Sequence, residues 1–460
     1  MTDWTTQPQL HSYNPSDSPD GPAFASPLGT ASWGQDGFSH DPGFLASQEE
    51  LRCMLFTIAH SAAPTRVPSP EGRPDASVQS RERGRALMRP VLSNARRIEY
   101  LKNYVGQVAP WLDMFDSQCA FRVQLPALAR TFPALLNAIL AISARQMERR
   151  EGIQDSFDSI ELYQEAIRLL SPLLQVRDPK VVAACVLLCC LEMMSARAQD
   201  WRRHLEGCAA LFDAFGMHGF SGGLLQALFW CYARMGKDCP GENQKTTLTI
   251  RPRSPGCHED DASRLFQAAR SPDMHANYAV YLCAKACELV SDRTQCIELG
   301  SKNGCTGEVF NRRWIQLWDD LQQWVDKRPP ELLPVYTAPN KPFPHILFIH
   351  WAAISSNQLY HTASILLLNL MPKSVKLQPA PTVSPLWHAR RICGISLANS
   401  HHGCLNNAIQ PLWIAGRLFS HVSEHTIIVD IIRNIEADTG WGACWRIRDL
   451  ELAWGYQVSR

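Results

Sequence analysis

The sequence predicts an all-α protein, a large multi-helix bundle with a disordered N-terminal segment. Three observations lead to this fold class. Apolar residues recur at helical intervals from Val91 to the C-terminus. No stretch shows the clear polar–apolar alternation of a half-buried strand. Residues 1–90 are rich in Pro, Ser and Gly and hold too few aliphatic side chains to build a core of their own.

The strongest helix prediction covers Val181–Ser195. Asp178 and Pro179 precede it. The Asp178 carboxylate can accept hydrogen bonds from the free amides of the first turn, and Pro179 stands where a helix does not need a backbone N–H. The run Val181–Leu191 is apolar on every side, which is typical of a helix enclosed by neighbours. Because roughly 20 apolar residues are needed to cross a bilayer, this run predicts a core helix and not a membrane span.

A second, amphipathic helix is predicted over Trp201–Phe215, after Asp200 as a candidate N-cap. Gly207 would allow a neighbouring helix to approach closely, and Gly216 stands where a left-handed C-cap is needed. A third amphipathic helix follows at 222–236. Three helices with short links indicate a bundle.

The N-terminal segment divides into three parts. In residues 1–46, acidic residues alternate with aromatic ones that include Phe38 and Phe44, so this part is either a disordered activation segment with exposed aromatics or a plain linker. Ser47–Glu50 is a capping box that predicts a short helix over 47–60. The arginines of residues 61–90 fit a phosphate-binding or nuclear-import segment and fit a solvated linker equally well.

From Val91 onward the pattern is helical throughout, so residues 91–460 are predicted to form one helical domain. The predicted helices lie near 91–106, 126–149, 156–171, 179–195, 201–215, 222–236, 262–270, 275–291, 308–327, 343–371, 384–409, 425–437 and 443–454. Residues 237–260 and 329–342 read as Pro/Gly-rich connections. Polar residues interrupt 343–371, so this stretch does not predict a membrane span either.

Charge and cysteine content restrict the partners and the compartment. Lys and Arg number 45 against 44 Asp and Glu, so the whole chain has no net attraction to nucleic acid or membranes. Most of the 16 cysteines lie in apolar helical runs, where a thiol acts as a small hydrophobic group. Residues 1–48 contain no Lys or Arg and no apolar signal core, which predicts an intracellular protein with reduced thiols.

One short motif could indicate a metal site. His421, Glu424 and His425 fit the pattern H-x-x-E-H, in which two histidines bind zinc and the glutamate acts as a base. Ser423, however, also resembles the cap of the next helix, which would place the two histidines on different elements. The cap interpretation is favoured, and no metal or other cofactor is predicted.

Other chemical motifs are incomplete. Cys283, Cys287, Cys296 and Cys305 lack the close pairing across a turn that structural zinc sites use, so core thiols are favoured. Asp319-Asp320 is not followed by a carboxylate one turn later, and magnesium would find too few oxygen ligands there. Phosphate loops and nucleophile elbows are missing from the sequence. The chain is therefore predicted not to be an enzyme.

Two stretches resemble the regulatory middle domain of fungal-specific transcription factors. One is Val181–Gly216, which includes Trp201-Arg202-Arg203-His204-Leu205-Glu206-Gly207; the other is Pro411-Leu412-Trp413-Ile414-Ala415-Gly416 followed by Gly440-Trp441-Gly442 and Trp445. Phe343–Leu368 between them fits as well. The signature residues are Trp201, Arg202, His204, Gly207, Trp413, Gly416, Gly440, Trp441 and Trp445. Physically they are interpreted as structural: tryptophans that fill the core, and glycines that permit turns or close contacts.

The resemblance implies a nuclear regulator of RNA polymerase II genes. In that family six cysteines near the N-terminus hold two zinc ions and place a helix in the major groove. Residues 1–90 contain only Cys53, so these residues are not expected to form that zinc cluster. The implied partners are therefore the transcription machinery or a DNA-bound protein, together with a small-molecule effector.

Two alternatives remain at this point. The chain could be a small-molecule sensor or interaction scaffold without a DNA role, because helical bundles often bind ligands between helices. A helical enzyme is the weaker alternative, with His421, Glu424 and His425 as its best candidates. The sequence does not decide between a monomer, a homodimer and a heterodimer.

Overall fold

The computed structural model describes residues 24–25, 37–61, 95–154, 157–195, 207–209, 211–235, 261–269 and 271–457. Within these ranges the chain is almost entirely helical, which confirms the predicted fold class. The α-helices are α1 Pro42–Ser61, α2 Ala95–Asn103, α3 Ala109–Leu112, α4 Leu125–Ala129, α5 Pro133–Glu151, α6 Asp158–Leu170, α7 Pro179–Ser195, α8 Gly223–Met235, α9 Asp261–Ala268, α10 Pro272–Glu298, α11 Gly307–Asp326, α12 Trp351–Asn369, α13 Pro385–Ala398, α14 His402–Leu405, α15 Ile409–Gly416, α16 Val422–Thr439 and α17 Trp445–Ala453. Residues 207–209 and 211–215 are helical too.

Strands are limited to two short pairs in the described ranges. β1 (Phe24–Ala25) runs parallel to β4 (Tyr456–Gln457), so Phe24 lies opposite Tyr456. β2 (Tyr336–Ala338) and β3 (His345–Leu347) pair antiparallel, with Thr337 opposite Ile346. Neither pair is large enough to supply a core layer, and the helices alone enclose the interior.

Buried apolar side chains of the described residues form three clusters. The first extends from Phe38 to Tyr232, the second from Met114 to Cys404, and the third from Phe343 to Leu450. Helix α7 lies in the first cluster with every residue from Val181 to Met194 buried, as its uniformly apolar sequence predicts. None of the helices in the described ranges has the length and apolar character needed to cross a bilayer.

The ordered body begins earlier in the chain than the composition indicates. Helix α1 starts at Pro42, and the carboxylate of Asp41 accepts a hydrogen bond from Phe44 N at 2.8 Å, as an N-cap does. The rings of Phe38 and Phe44 are 0% and 1% exposed, so the expectation that these two aromatics stay in water is wrong. Side chains from distant parts of the chain cover them. The Arg145 guanidinium, for example, lies 3.9 Å from the centre of the Phe38 ring, within range of a cation–π contact.

Three of the predicted helices are interrupted in the structure. Residues 126–149 divide into α4 and α5, which residues 130–132 separate. The other two interruptions lie nearer the C-terminus. Residues 343–350 precede α12 and include β3, and 384–409 divides into α13, α14 and a 3₁₀ turn at Asn406–Ala408. Asn399 explains the break within residues 384–409. Its amide donates to Ile346 O at 2.7 Å and accepts from Phe348 N at 2.9 Å, which ties the end of α13 to the chain just after β3.

Candidate functional site

A cavity of about 120 Å³ lies where helices from the N-terminal, central and C-terminal parts of the chain meet. Its walls come from α3, α7, α8, α10, α12, the Asn406–Ala408 turn, α15 and the start of α17. The cavity therefore joins the N-terminal helices to the C-terminal third of the chain. A ligand-sized space enclosed by several helices of a bundle is a common location for a binding site.

One wall of the cavity carries sulfur and a cation. Cys190 of α7 and Cys231 of α8 are 1% and 2% exposed, and Arg234 stands one turn after Cys231. The Arg234 guanidinium donates to Leu112 O at 2.7 Å and lies 5.3 Å from the centre of the Phe115 ring. The arginine is therefore held at the wall by fixed contacts.

Helix α3 contributes an indole with an unpaired donor to the cavity wall. Trp111 is 1% exposed, and its Nε1–H, which is buried, has no hydrogen-bond partner among the described residues. Its ring packs edge-on against Trp441 at 5.9 Å between ring centres. A buried donor without an acceptor costs about 1–3 kcal/mol, so a ligand that accepts a hydrogen bond there would bind favourably.

The segment Gly440–Trp445, here called the signature loop, borders the cavity through Trp441, Gly442 and Trp445. Glu436 holds this loop: its Oε2 accepts from the amides of Ala443 and Cys444, both at 2.7 Å. Its Oε1 accepts from Arg149 Nη2 of α5, also at 2.7 Å. One carboxylate thus fastens the loop to the N-terminal helices.

The two glycines of the loop meet the N-terminal helices directly. Gly440 has φ +71°, a left-handed C-cap for α16, and a Cβ there would lie 2.9 Å from Gln146 O. At Gly442 a Cβ would lie 3.0 Å from Met194 O, and Gly442 N donates to the same oxygen at 3.3 Å. Both positions need glycine because backbone approaches backbone.

Trp413 and Trp445 flank one cation. The Arg446 guanidinium lies 4.4 Å from the Trp413 ring centre and 4.0 Å from that of Trp445, and its Nη2 donates to Gln410 Oε1 at 2.6 Å. Trp445 is 42% exposed, so the expectation that it fills the core is wrong. Its indole covers an arginine at the cavity edge, where cation–π attraction explains the tryptophan.

The remaining signature residues lie at helix contacts. A Cβ at Gly416 would lie 2.9 Å from Leu450 Cδ2, and Gly416 O accepts from Trp454 Nε1 at 2.9 Å. A Cβ at Gly207 would lie 2.8 Å from Leu55 Cβ of α1, which is a close approach at the predicted glycine. Trp201, Arg202 and His204 lie outside the described residues.

The H-x-x-E-H residues are used for capping and packing. The cap of α16 is His421, whose ring nitrogen accepts from Ser423 N at 3.2 Å, so the prediction that Ser423 caps this helix is wrong. The His425 ring stacks on Trp454 at 3.8 Å, and its nitrogens contact Phe419 O and Tyr456 Oη. Glu424 pairs with Arg390 at 3.4 Å. The three side chains have separate partners.

The four cysteines considered for zinc do not gather at one point, although Cys296 lies near Cys305. Cys283 and Cys287 line the cavity from α10, whereas Cys305 lies beyond the end of that helix. No group of three or more His, Cys, Asp or Glu residues suited to a metal ion occurs in the described part of the chain. Among the same residues, Asp320 accepts from Gln316 on its own helix.

Sequence reasoning missed Trp111, Arg234 and the Arg149–Glu436 pair. Glu436 stands just before the signature loop in the sequence, but its partner Arg149 lies 287 positions earlier. Arg234 follows Cys231 at helical spacing, which could have marked a charged thiol wall. Nothing near Trp111 in the sequence distinguishes it from a core tryptophan.

Comparison with known proteins gives a match to one family model over part of the chain. Residues 99–230 match the fungal specific transcription factor domain. A transcription activator of Alternaria alternata, AMTR1, is 23% identical over 341 residues, covering 60% of this chain and 44% of that protein. The match thus spans less than half the length of this relative. No solved structure matches the chain significantly.

Proposed function

On the premise that residues 99–230 form a fungal specific transcription factor domain, we propose that this chain regulates the transcription of RNA polymerase II genes in the nucleus. The observation that carries the proposal is this family match. The fold supports it, because the matched residues and the C-terminal signature loop build one helical body around the central cavity. The similarity to a transcription activator of Alternaria alternata also supports a role in transcription.

The chain's contact with genes is proposed to be indirect or to use a separate module. A DNA-bound partner, or a zinc cluster carried elsewhere, would bring the helical body to a promoter. The acidic and aromatic residues that precede Phe38 would then contact the transcription machinery. The proposal assigns no reaction to the body.

A second function, small-molecule sensing, is favoured by the cavity itself. Its volume of about 120 Å³ suits a small ligand, and the Trp111 Nε1–H needs an acceptor. A carbonyl or carboxylate compound would satisfy that donor. Such a ligand would stabilise the folded chain by mass action, so a thermal-shift screen of metabolites would reveal it.

A deletion strain and a fluorescent fusion test the proposed function together. We expect the fusion protein to accumulate in the nucleus and the deletion to change a defined set of transcripts. Re-expression of the wild-type chain should restore those transcripts, which controls for secondary mutations. A cytosolic fusion protein together with an unchanged transcriptome would contradict the proposal.

A further inference from the structure

Two thiols meet at the wall of the central cavity. Cys190 and Cys231 belong to the packed helices α7 and α8, and their side chains hydrogen-bond to each other. Both side chains line the cavity, although each is almost fully shielded from bulk solvent. A disulfide between them would require the two sulfurs to approach to about 2.05 Å.

We propose that this pair is a redox modification site: a hydroperoxide that enters the central cavity oxidises Cys231, and Cys190 then closes a disulfide between α7 and α8. The modification does not depend on the proposed function. Its consequence for gene expression rests on that function.

The surroundings give the two thiols different roles. The hydrogen bond from Cys190 lowers the pKa of Cys231, and the charge and hydrogen bond of Arg234 lower it further, whereas burial and the charge of Asp113 raise it; the net direction is downward. The same contact and burial raise the pKa of Cys190. Because the thiolate is the nucleophile, Cys231 attacks the peroxide and Cys190 resolves the product.

The reaction balances with a hydroperoxide as oxidant. The Cys231 thiolate attacks the near peroxide oxygen, the O–O bond breaks, and the product is a sulfenic acid plus hydroxide or alkoxide, which takes up a proton. Cys190 sulfur then attacks the sulfenic sulfur, its own proton is released, and the S–O bond breaks to give water. Two thiols lose two electrons in total, and the peroxide gains them.

The position of the pair favours a small oxidant. A cavity of about 120 Å³ admits hydrogen peroxide, which is close to water in size, and the partly exposed Trp445 lies at its edge. Arg234 stands beside the thiol that must ionise. The charge stabilises the thiolate in a site that would otherwise hold a neutral core cysteine.

A second thiol pair supplies a matched control. Cys189 and Cys208 also hydrogen-bond to each other, but neither lines the cavity, and that contact together with burial raises the pKa of Cys189. The two pairs therefore share burial and thiol contact. They differ in access to the cavity and in the nearby arginine.

The test treats the purified full chain with hydrogen peroxide, alkylates the remaining thiols under denaturing conditions and maps disulfides by mass spectrometry. We expect a Cys190–Cys231 crosslink while Cys189 and Cys208 remain alkylatable. In Cys190→Ser the reaction should stop at a Cys231 sulfenic acid that dimedone traps. Cys189→Ser should leave the crosslink unchanged.

A rate measurement tests the role of the arginine. Arg234→Met should slow Cys231 oxidation about tenfold at neutral pH, since each unit of pKa increase reduces the thiolate fraction by that factor. Thermal melts of each variant, compared with wild type, separate slow oxidation from misfolding. An unchanged rate in folded Arg234→Met would overturn the electrostatic assignment.

Three mapping results would overturn the proposal: no crosslink, a crosslink of Cys231 to Cys283 or Cys287, or one to Cys239 or Cys257, which lie outside the described residues. A loss of the crosslink in Cys189→Ser would do the same. The mapping uses purified protein, so it is decided independently of transcription. Failure of the proposed function would show in untreated cells instead.

Discussion

Replacing Glu436 with alanine should lower the free energy of unfolding by about 3–5 kcal/mol, the usual cost of breaking a buried charge pair. The carboxylate is 13% exposed and binds Arg149 together with the amides of Ala443 and Cys444. Its removal takes away the acceptor of Arg149 Nη2 and of two backbone amides, although Arg149 Nε still donates to Gly440 O. Urea denaturation followed by circular dichroism measures the change.

Two variants sharpen this prediction. Glu436→Gln keeps one carbonyl acceptor but loses the charge, so its free energy of unfolding should fall between those of wild type and Glu436→Ala. Asp438→Ala on the same helix changes an exposed carboxylate and should stay within about 0.5 kcal/mol of wild type. A Glu436→Ala protein as stable as Asp438→Ala would show that Glu436 does not hold the signature loop.

Replacing Gly394 with alanine should lower the free energy of unfolding by about 3 kcal/mol through overpacking. The added Cβ would lie 2.1 Å from Pro344 O, a backbone atom that no side-chain rotation can move away. Helix α13 would have to shift from the segment that carries Phe343 and Ile346, both buried. The same urea assay measures the loss.

Gly106→Ala is the matched control. A Cβ at Gly106 meets nothing within 4 Å, and the residue lies in a helical turn. Alanine is favoured over glycine by about 0.5–1 kcal/mol within a helix, so this variant should be unchanged or more stable. Equal free energies of unfolding for the two variants would contradict this prediction, because they would show that the approach of Pro344 O does not exclude a Cβ at position 394.

Helices with an unambiguous apolar pattern could be predicted from the sequence. Helix α7 illustrates this: Pro179 at its start and an unbroken apolar run allow no other element, and the structure confirms it. Phe38 and Phe44 show the opposite case. Their neighbours suggest a solvated segment, but the rings pack with Arg145, Phe157 and Tyr163 far along the chain. A local pattern cannot reveal a partner at that distance.

The candidate site could be predicted only in part, because its walls come from elements scattered over the whole chain. The motif Gly440-Trp441-Gly442 stands out in the sequence, and these residues do lie at or beside the cavity. The thiol wall does not stand out. Cys190 sits in a run that predicts only a core, and its meeting with Cys231 depends on how α7 packs against α8.

The central claim is that the helical body regulates transcription. A reporter gene tests this claim most directly, because the result does not depend on how the body reaches DNA in the cell. The chain is fused to an unrelated DNA-binding domain and directed to a reporter promoter. We predict that reporter transcription changes several-fold relative to the DNA-binding domain alone, and that the destabilised Glu436→Ala fusion has a weaker effect. A well-expressed, nuclear fusion that leaves reporter transcription unchanged would contradict the account.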